Sequence, residues 1–276
     1  MTATALTLPA RGPRVRELGL PLPSERAPIM RGTRPLKRWC WVGVFGPELM
    51  LCAGDARIGP LARRWWAVAR PDGTLRERST ARGGGVHVSP DRVRVNASGV
   101  LIEIELERTD GLEVASPAGD LWIWTRKHAP VRASGRVVLD GREQRVHTDA
   151  FVDESAGYHP RHTAWRWSAG VGRGEGGERV AWNLVDGVHD APEASERTVW
   201  VDGEPREVPP VDFADDLSRV DGLAFSEWCA RVDHTNRLIF HSDYRQPFGT
   251  FSGELPGGGP RLAEGYGVME EHDVRW

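Results

Sequence analysis

Six Asp-Gly pairs punctuate this chain: Asp72-Gly73, Asp110-Gly111, Asp140-Gly141, Asp186-Gly187, Asp202-Gly203 and Asp221-Gly222. Asp-Gly supplies the positive φ angles that tight hairpin turns demand, so each pair marks a place where a strand can fold back on itself. The cleanest are Leu139-Asp140-Gly141-Arg142 and Val201-Asp202-Gly203-Glu204. Between the turns, apolar and aromatic residues alternate or cluster over 39–45, 48–53, 64–69, 92–96, 101–107, 121–127 and 135–139. The same texture returns over 163–171, 180–185, 198–201, 225–231, 238–242 and 265–276. A period of two over such lengths describes half-buried strands. No window keeps the i, i+3, i+4, i+7 stripe of a capped helix. The expected fold is all-β and antiparallel.

A chain of 276 residues suits two modest domains or one large all-β unit. So many strands exceed one small barrel, which leaves two barrels or sandwiches, or one long curved sheet. The W-x-W pattern at Trp39–Trp41, Trp122–Trp124 and Trp165–Trp167 is a weak internal echo of two halves. Residues 1–35, rich in Pro and Arg and without a period, read as an extended arm on the surface, partly disordered. We expect a β domain over 36–148 and a second over 149–276.

The net charge of -3 argues against a nucleic-acid footprint, which would show a basic patch. Cys40, Cys52 and Cys229 are odd in number and widely spaced, which speaks against a disulfide framework or zinc finger and for a reducing compartment. The first residues lack the apolar stretch of a secretory signal, and no run reaches the roughly 18 apolar residues of a membrane span. A cytoplasmic location is expected. Lys37 and Lys127 are the only lysines among 36 basic residues, which reads as an effect of genome base composition.

The densest chemistry lies in Asp153–Trp167, DESAGYHPRHTAWRW. Gly157 and Pro160 suggest that Asp153–His162 is a bend, with Asp153, Glu154, Tyr158, His159 and His162 at the mouth of a pocket. In the strand that follows, Thr163, Trp165 and Trp167 share one face. A carboxyl group against aromatic walls loses solvation of its charged form, so its pKa rises and it can donate a proton near neutral pH. Tryptophan faces would stabilise a developing cation. The bland reading is a capped turn followed by core tryptophans.

Two further clusters qualify. In 264–276, Glu264, Tyr266, Val268, Glu270 and His272 face one way; an inward Glu270 is costly unless paired or protonated, which makes it a second acid or base. In 181–190, Trp182 and Leu184 take one side of a strand and Ala181 and Asn183 the other, with His189 and Asp190 in the loop beyond. The His159-Pro-Arg-His162 spacing is not that of a helical metal site, and no ligand trio stands out, so no metal and no cofactor are expected. Ser155 lacks the glycine pattern of a nucleophile elbow.

The segments Lys37–Gly54, Trp122–Lys127, Asp153–Gly172, Ala181–Gly203, Tyr244–Gly253 and Gly265–Trp276 resemble a bacterial family catalogued as domain of unknown function 2804. More remotely, D-x-S-x-G followed by W-x-W and a terminal G-x-G-x-x-E is similar to a lipocalin-like superfamily of carotenoid hydratases, tocopherol cyclases and AttH-type proteins. That resemblance implies two tandem lipocalin-like β-barrel or sandwich domains with a site near their junction. It implies acid-catalysed chemistry on isoprenoid or other apolar substrates without a cofactor. Asp153 would be the acid and Glu270 the distal acid or base, with Trp165, Trp167 and Tyr266 as walls. Tyr158 and His159 are secondary proton-transfer candidates; Trp124, Trp182 and Asn183 complete the expected ligand contacts.

The expectation is thus a cofactor-independent lyase or isomerase acting on an apolar or amphipathic small molecule. A non-catalytic carrier of lipids or hydrophobic ligands is the alternative, and a scaffold with a closed core is the third. A carrier should ion-pair Asp153 and Glu270. An enzyme should leave at least one of them unpaired inside a Trp-lined cavity, and a scaffold should show a closed core packed solidly around Trp165 and Trp167.

Overall fold

The computed structural model describes residues 8–22, 24–81, 85–237 and 240–276. Residues 1–7 of the expected arm, and 238–239 of the strand expected over 238–242, lie outside the described residues.

Two large antiparallel sheets account for most of the described chain, and the fold class is as expected. The first runs in the order Leu75–Thr80, Leu61–Ala69, Met50–Ile58, Lys37–Phe45, Arg142–Gly157, Leu121–Leu139, Val100–Leu106, Arg92–Ala97 and Val86–Ser89. Leu112–Ala118 pairs with the first part of Leu121–Leu139. The second runs Glu204–Glu207, Thr198–Val201, Arg179–Asp186, His162–Gly174, Arg261–Arg275, Phe240–Glu254, Leu223–Arg237 and Arg219–Val220. The chain changes sheets between Gly157 and His162, downstream of the 148/149 division.

The two cleanest turn signals close hairpins. Asp140 (φ 49) and Gly141 (φ 81) join the long central strands, and Asp202 (φ 51) and Gly203 (φ 89) join Thr198–Val201 to Glu204–Glu207. Positive φ at both central residues matches the right-handed twist of the flanking strands. The stretches 121–127 and 135–139 are one strand rather than two. A register shift between His128 and Val131 absorbs Pro130, since a bulge tolerates a residue without an N–H.

The expected bend at Asp153 is a correction. Asp153–Gly157 continues the strand Arg142–Gly157, where Asp153 pairs with Lys127 on one side and Trp41 on the other. Gly157 is not a turn marker. It has φ 154, and a Cβ there would stand 2.5 Å from Ile123 Cα, so only glycine permits this close approach of two strands.

Strand alternation sorts side chains into separate cores. Val42, Val44, Leu51, Ile102, Ile104 and Val152 fill the curl of the first sheet. Val180, Trp182, Leu184, Phe213, Phe251 and Met269 form a core of the second. Their strand neighbours turn the other way and meet between the sheets: Trp41, Phe45 and Phe151 from the first pack against Trp167, Trp200 and Phe248 from the second. Full burial of each large apolar side chain is worth about 1.5–3 kcal/mol, so this interface stabilises the joined sheets strongly.

The described part of the N-terminal arm is docked. Ala10–Arg11 adds to Leu112–Ala118, and Val15, Ala27 and Leu36 pack on Trp122, Trp124 and Tyr158. Arg11 reaches the second sheet and donates to Thr198 Oγ1 at 2.9 Å.

A buried carboxyl cluster between the sheets

The core between the sheets is apolar at its centre but carries an unusual set of ionisable groups. On the first sheet, residues Trp39, Trp41, Lys127 and Asp153 occupy adjacent strands in register. On the second, Trp165, Trp167 and Glu270 do the same, with Trp167 directly opposite Glu270. Alternation turns these side chains toward one another.

Asp153 is an ion-paired carboxylate. Lys127 Nζ lies 2.6 Å from Oδ1, Thr125 Oγ1 donates to the same oxygen at 3.2 Å, and Trp39 Nε1 donates to Oδ2 at 3.0 Å. Lys127 also spans the sheets: its Nζ lies 3.4 Å from Glu196 Oε2 and 5.6 Å from the centre of the Trp167 ring. Burial works against the Lys127 ammonium, but the two carboxylates hold its pKa above the ordinary lysine value. Glu196 is pushed up by burial, with Lys127 opposing and Asp153 reinforcing that rise.

Glu270 is held differently. Its Oε1 accepts the indole N–H of Trp165 at 2.8 Å. Its Oε2 accepts the amide of Gln246 at 2.8 Å and the hydroxyl of Tyr244 at 3.1 Å. All three donors are neutral, and among the described residues no cation pairs with Glu270. Burial raises its pKa; the three hydrogen bonds oppose that rise, and the nearby Asp153 charge adds to it. Tyr244 is itself raised well above its usual value, chiefly by burial and then by Glu270, so it keeps its proton and donates.

Two neutral histidines flank the cluster. His272, two residues along the same strand face, contacts the rings of Trp165 at 4.5 Å and Tyr244 at 5.1 Å, and burial lowers its pKa to about 4. His159 lies 5.2 Å from the ring of Trp39, and burial, helped by the Lys37 charge, lowers it to about 3. Asn183 accepts the N–H of Trp167 at 2.8 Å and donates to Glu196 O at 2.9 Å, which fixes the indole between the sheets.

Asp153, Glu270, Trp165, Trp167 and Asn183 therefore gather in one region, with His159 at its edge. Others do not. Trp124 and Tyr158 face the docked arm, where Tyr158 donates to Pro28 O at 2.6 Å. Trp182 points into the core of its own sheet, and its N–H donates to Ser168 Oγ at 3.0 Å. Tyr266 packs at 6.4 Å from the Trp228 ring and lines a surface hollow of about 340 Å³ with Phe225, Phe251 and Glu264. Another hollow of about 400 Å³ is bounded by Glu48, Arg70, Asp72 and Gln144. Neither contains the carboxyl cluster, and chemistry rather than surface shape selects the site between the sheets.

Sequence reading missed Lys127, Glu196, Tyr244 and Gln246. Lys127, Glu196 and the pair Tyr244 and Gln246 come from three separate segments, so no local motif gathers them. The signal available was Lys127 itself, one of two lysines, placed on the strand face opposite Trp122 and Trp124.

A family model described as Domain of unknown function (DUF2804) matches residues 76–276. No curated protein matches this chain. Among solved structures, kievitone hydratase from Nectria haematococca is 11% identical with a TM-score of 0.52, over 85% of this chain and 88% of that one. An AttH-like protein from Nitrosomonas europaea is 14% identical with a TM-score of 0.49, over 91% of this chain and 95% of that one. At such identities the likeness concerns the fold. The kievitone hydratase likeness agrees with an all-β fold of two lipocalin-like domains.

Proposed function

We propose, for a chain that belongs to the family described as Domain of unknown function (DUF2804), a cofactor-independent acid–base lyase or isomerase acting on an apolar or amphipathic small molecule. The observation that carries this reading is the environment of Glu270: a buried carboxyl with three neutral donors and, among the described residues, no cation. A carboxyl that only stabilised the fold would be ion-paired, as Asp153 is. The acid role thus moves from Asp153 to Glu270.

In this mechanism the protonated Glu270 delivers its proton to an alkene carbon or a carbonyl oxygen held against Trp165 and Trp167. The indole faces stabilise the cation that develops. Asp153, kept ionised by Lys127, or neutral His272 then takes a proton from the adjacent carbon or activates water. Loss of a proton gives an isomer; addition of water gives a hydrate. The kievitone hydratase likeness supports the fold for such chemistry and leaves the substrate to experiment.

The test incubates an extract of small molecules from the host with wild-type protein and with Glu270→Gln. The expected result is a compound that changes by one water, or isomerises, with the wild type alone. Recovery of bound compounds unchanged from both proteins would instead establish a carrier.

A further inference from the structure

Lys37 shows a second kind of vacancy in charge balance. Lys37 is 1% exposed, yet no carboxylate stands against its ammonium among the described residues. One of its protons goes to the carbonyl of His159 at 3.2 Å. The ammonium otherwise lies over the ring of Trp276, 4.7 Å from its centre. A buried ammonium with a single acceptor is costly, since three N–H donors seek partners. Lys127, the other lysine, has two carboxylates. Beside Lys37, the indole N–H of Trp276 is buried and has no acceptor either. In this corner the ammonium has one oxygen acceptor and the neutral N–H has none among the described residues.

We propose that Lys37 and Trp276 form a subsite for the carboxylate end of an amphipathic ligand. The Arg34 charge lies close enough to act on Lys37, so the corner favours an anionic end group, and a carboxylate presents two oxygens to its two donors. One carboxylate oxygen takes the ammonium and the other the indole N–H, a pairing of the charge-assisted kind. The corner is continuous with the carboxyl cluster: the Lys37 ammonium binds the His159 carbonyl, the His159 ring lies against Trp39, and Trp39 donates to Asp153. A ligand anchored at Lys37 would run its apolar body along these rings toward Glu270. The inference rests on the ligand-binding part of the proposed function and adds the class of substrate: an apolar molecule with a carboxylate terminus.

Displacement of Nile red, a neutral dye, tests it at pH 7 with decanoate and decanol as competitors. Wild-type protein should bind decanoate at least about tenfold more tightly than decanol, the equivalent of about 1.4 kcal/mol. Lys37→Met keeps most of the length of the side chain without its charge and should abolish that preference while decanol still binds. Trp276→Phe, which removes the N–H and keeps a smaller aromatic ring, should reduce it about threefold. Equal binding of decanoate and decanol by the wild type, or an undiminished preference in Lys37→Met, would overturn the subsite and leave the catalytic reading standing. Failure of both competitors and of the dye to bind would remove the ligand-binding reading together with the subsite.

Discussion

Trp165 donates its indole N–H to Glu270 at 2.8 Å across neighbouring strands of the second sheet. The bond orients the carboxyl toward the other sheet without supplying a charge. Because the folded state raises the pKa of Glu270, it binds the proton more tightly than the unfolded chain does. The resulting stability is fully present below the ordinary carboxylate range and is lost as pH rises through the folded-state value. Glu270→Gln removes that loss. Chemical denaturation at pH 7 should show the variant more stable than the wild type, even as it loses turnover.

Lys127 should behave in the opposite way. Among the described residues it is the one cation in ion-pair contact with Asp153 and Glu196, and its removal leaves two buried carboxylates without that contact. Lys127→Met should cost about 3–5 kcal/mol in urea denaturation. Adding Asp153→Asn should recover part of that loss, because one stranded charge disappears; a fully additive double variant would show that the ion pair has no energetic coupling.

Acid should weaken the joined sheets through the histidines. His272 titrates near 6.5 when unfolded and at about 4 when folded, and His159 falls further, to about 3. Groups with depressed histidine pKa values keep the folded state neutral, so stability declines as pH falls below 6.5 toward 4. Thermal midpoints across that range should flatten in His272→Asn, which keeps a polar partner for Ser242. An unchanged slope would remove His272 from the account.

Trp182 lies over Gly170, its cross-strand partner. A Cβ at position 170 would stand 2.2 Å from the indole, so Gly170→Ala forces the ring out of its core. The expected cost is about 1–3 kcal/mol, read by thermal unfolding. Gly54 opposite Trp65 shows the same pairing at 2.2 Å. In both cases a large ring takes the space that the glycine leaves.

The sequence carried the strands well because alternation is a local property. Trp182 and Leu184 do face one core and Asn183 the other, and Val268 and Glu270 share the side opposite Met269. Asp140-Gly141 and Asp202-Gly203 turn as their composition requires. What misled was Gly157, whose lack of a side chain serves strand approach at Ile123 rather than a bend. The charge partners were also out of reach. Lys127 meets Glu196 across two sheets, and Tyr244 and Gln246 reach Glu270 from a neighbouring strand, so only tertiary structure decides which carboxyl is left without a cation.

The central claim is that Glu270 is a buried acid held in its neutral form. Infrared difference spectroscopy of wild-type protein against Glu270→Gln tests it at pH 6. The account predicts a protonated-carboxyl carbonyl stretch in the wild type that the variant lacks. A difference spectrum showing only an ionised carboxylate at that pH would contradict it.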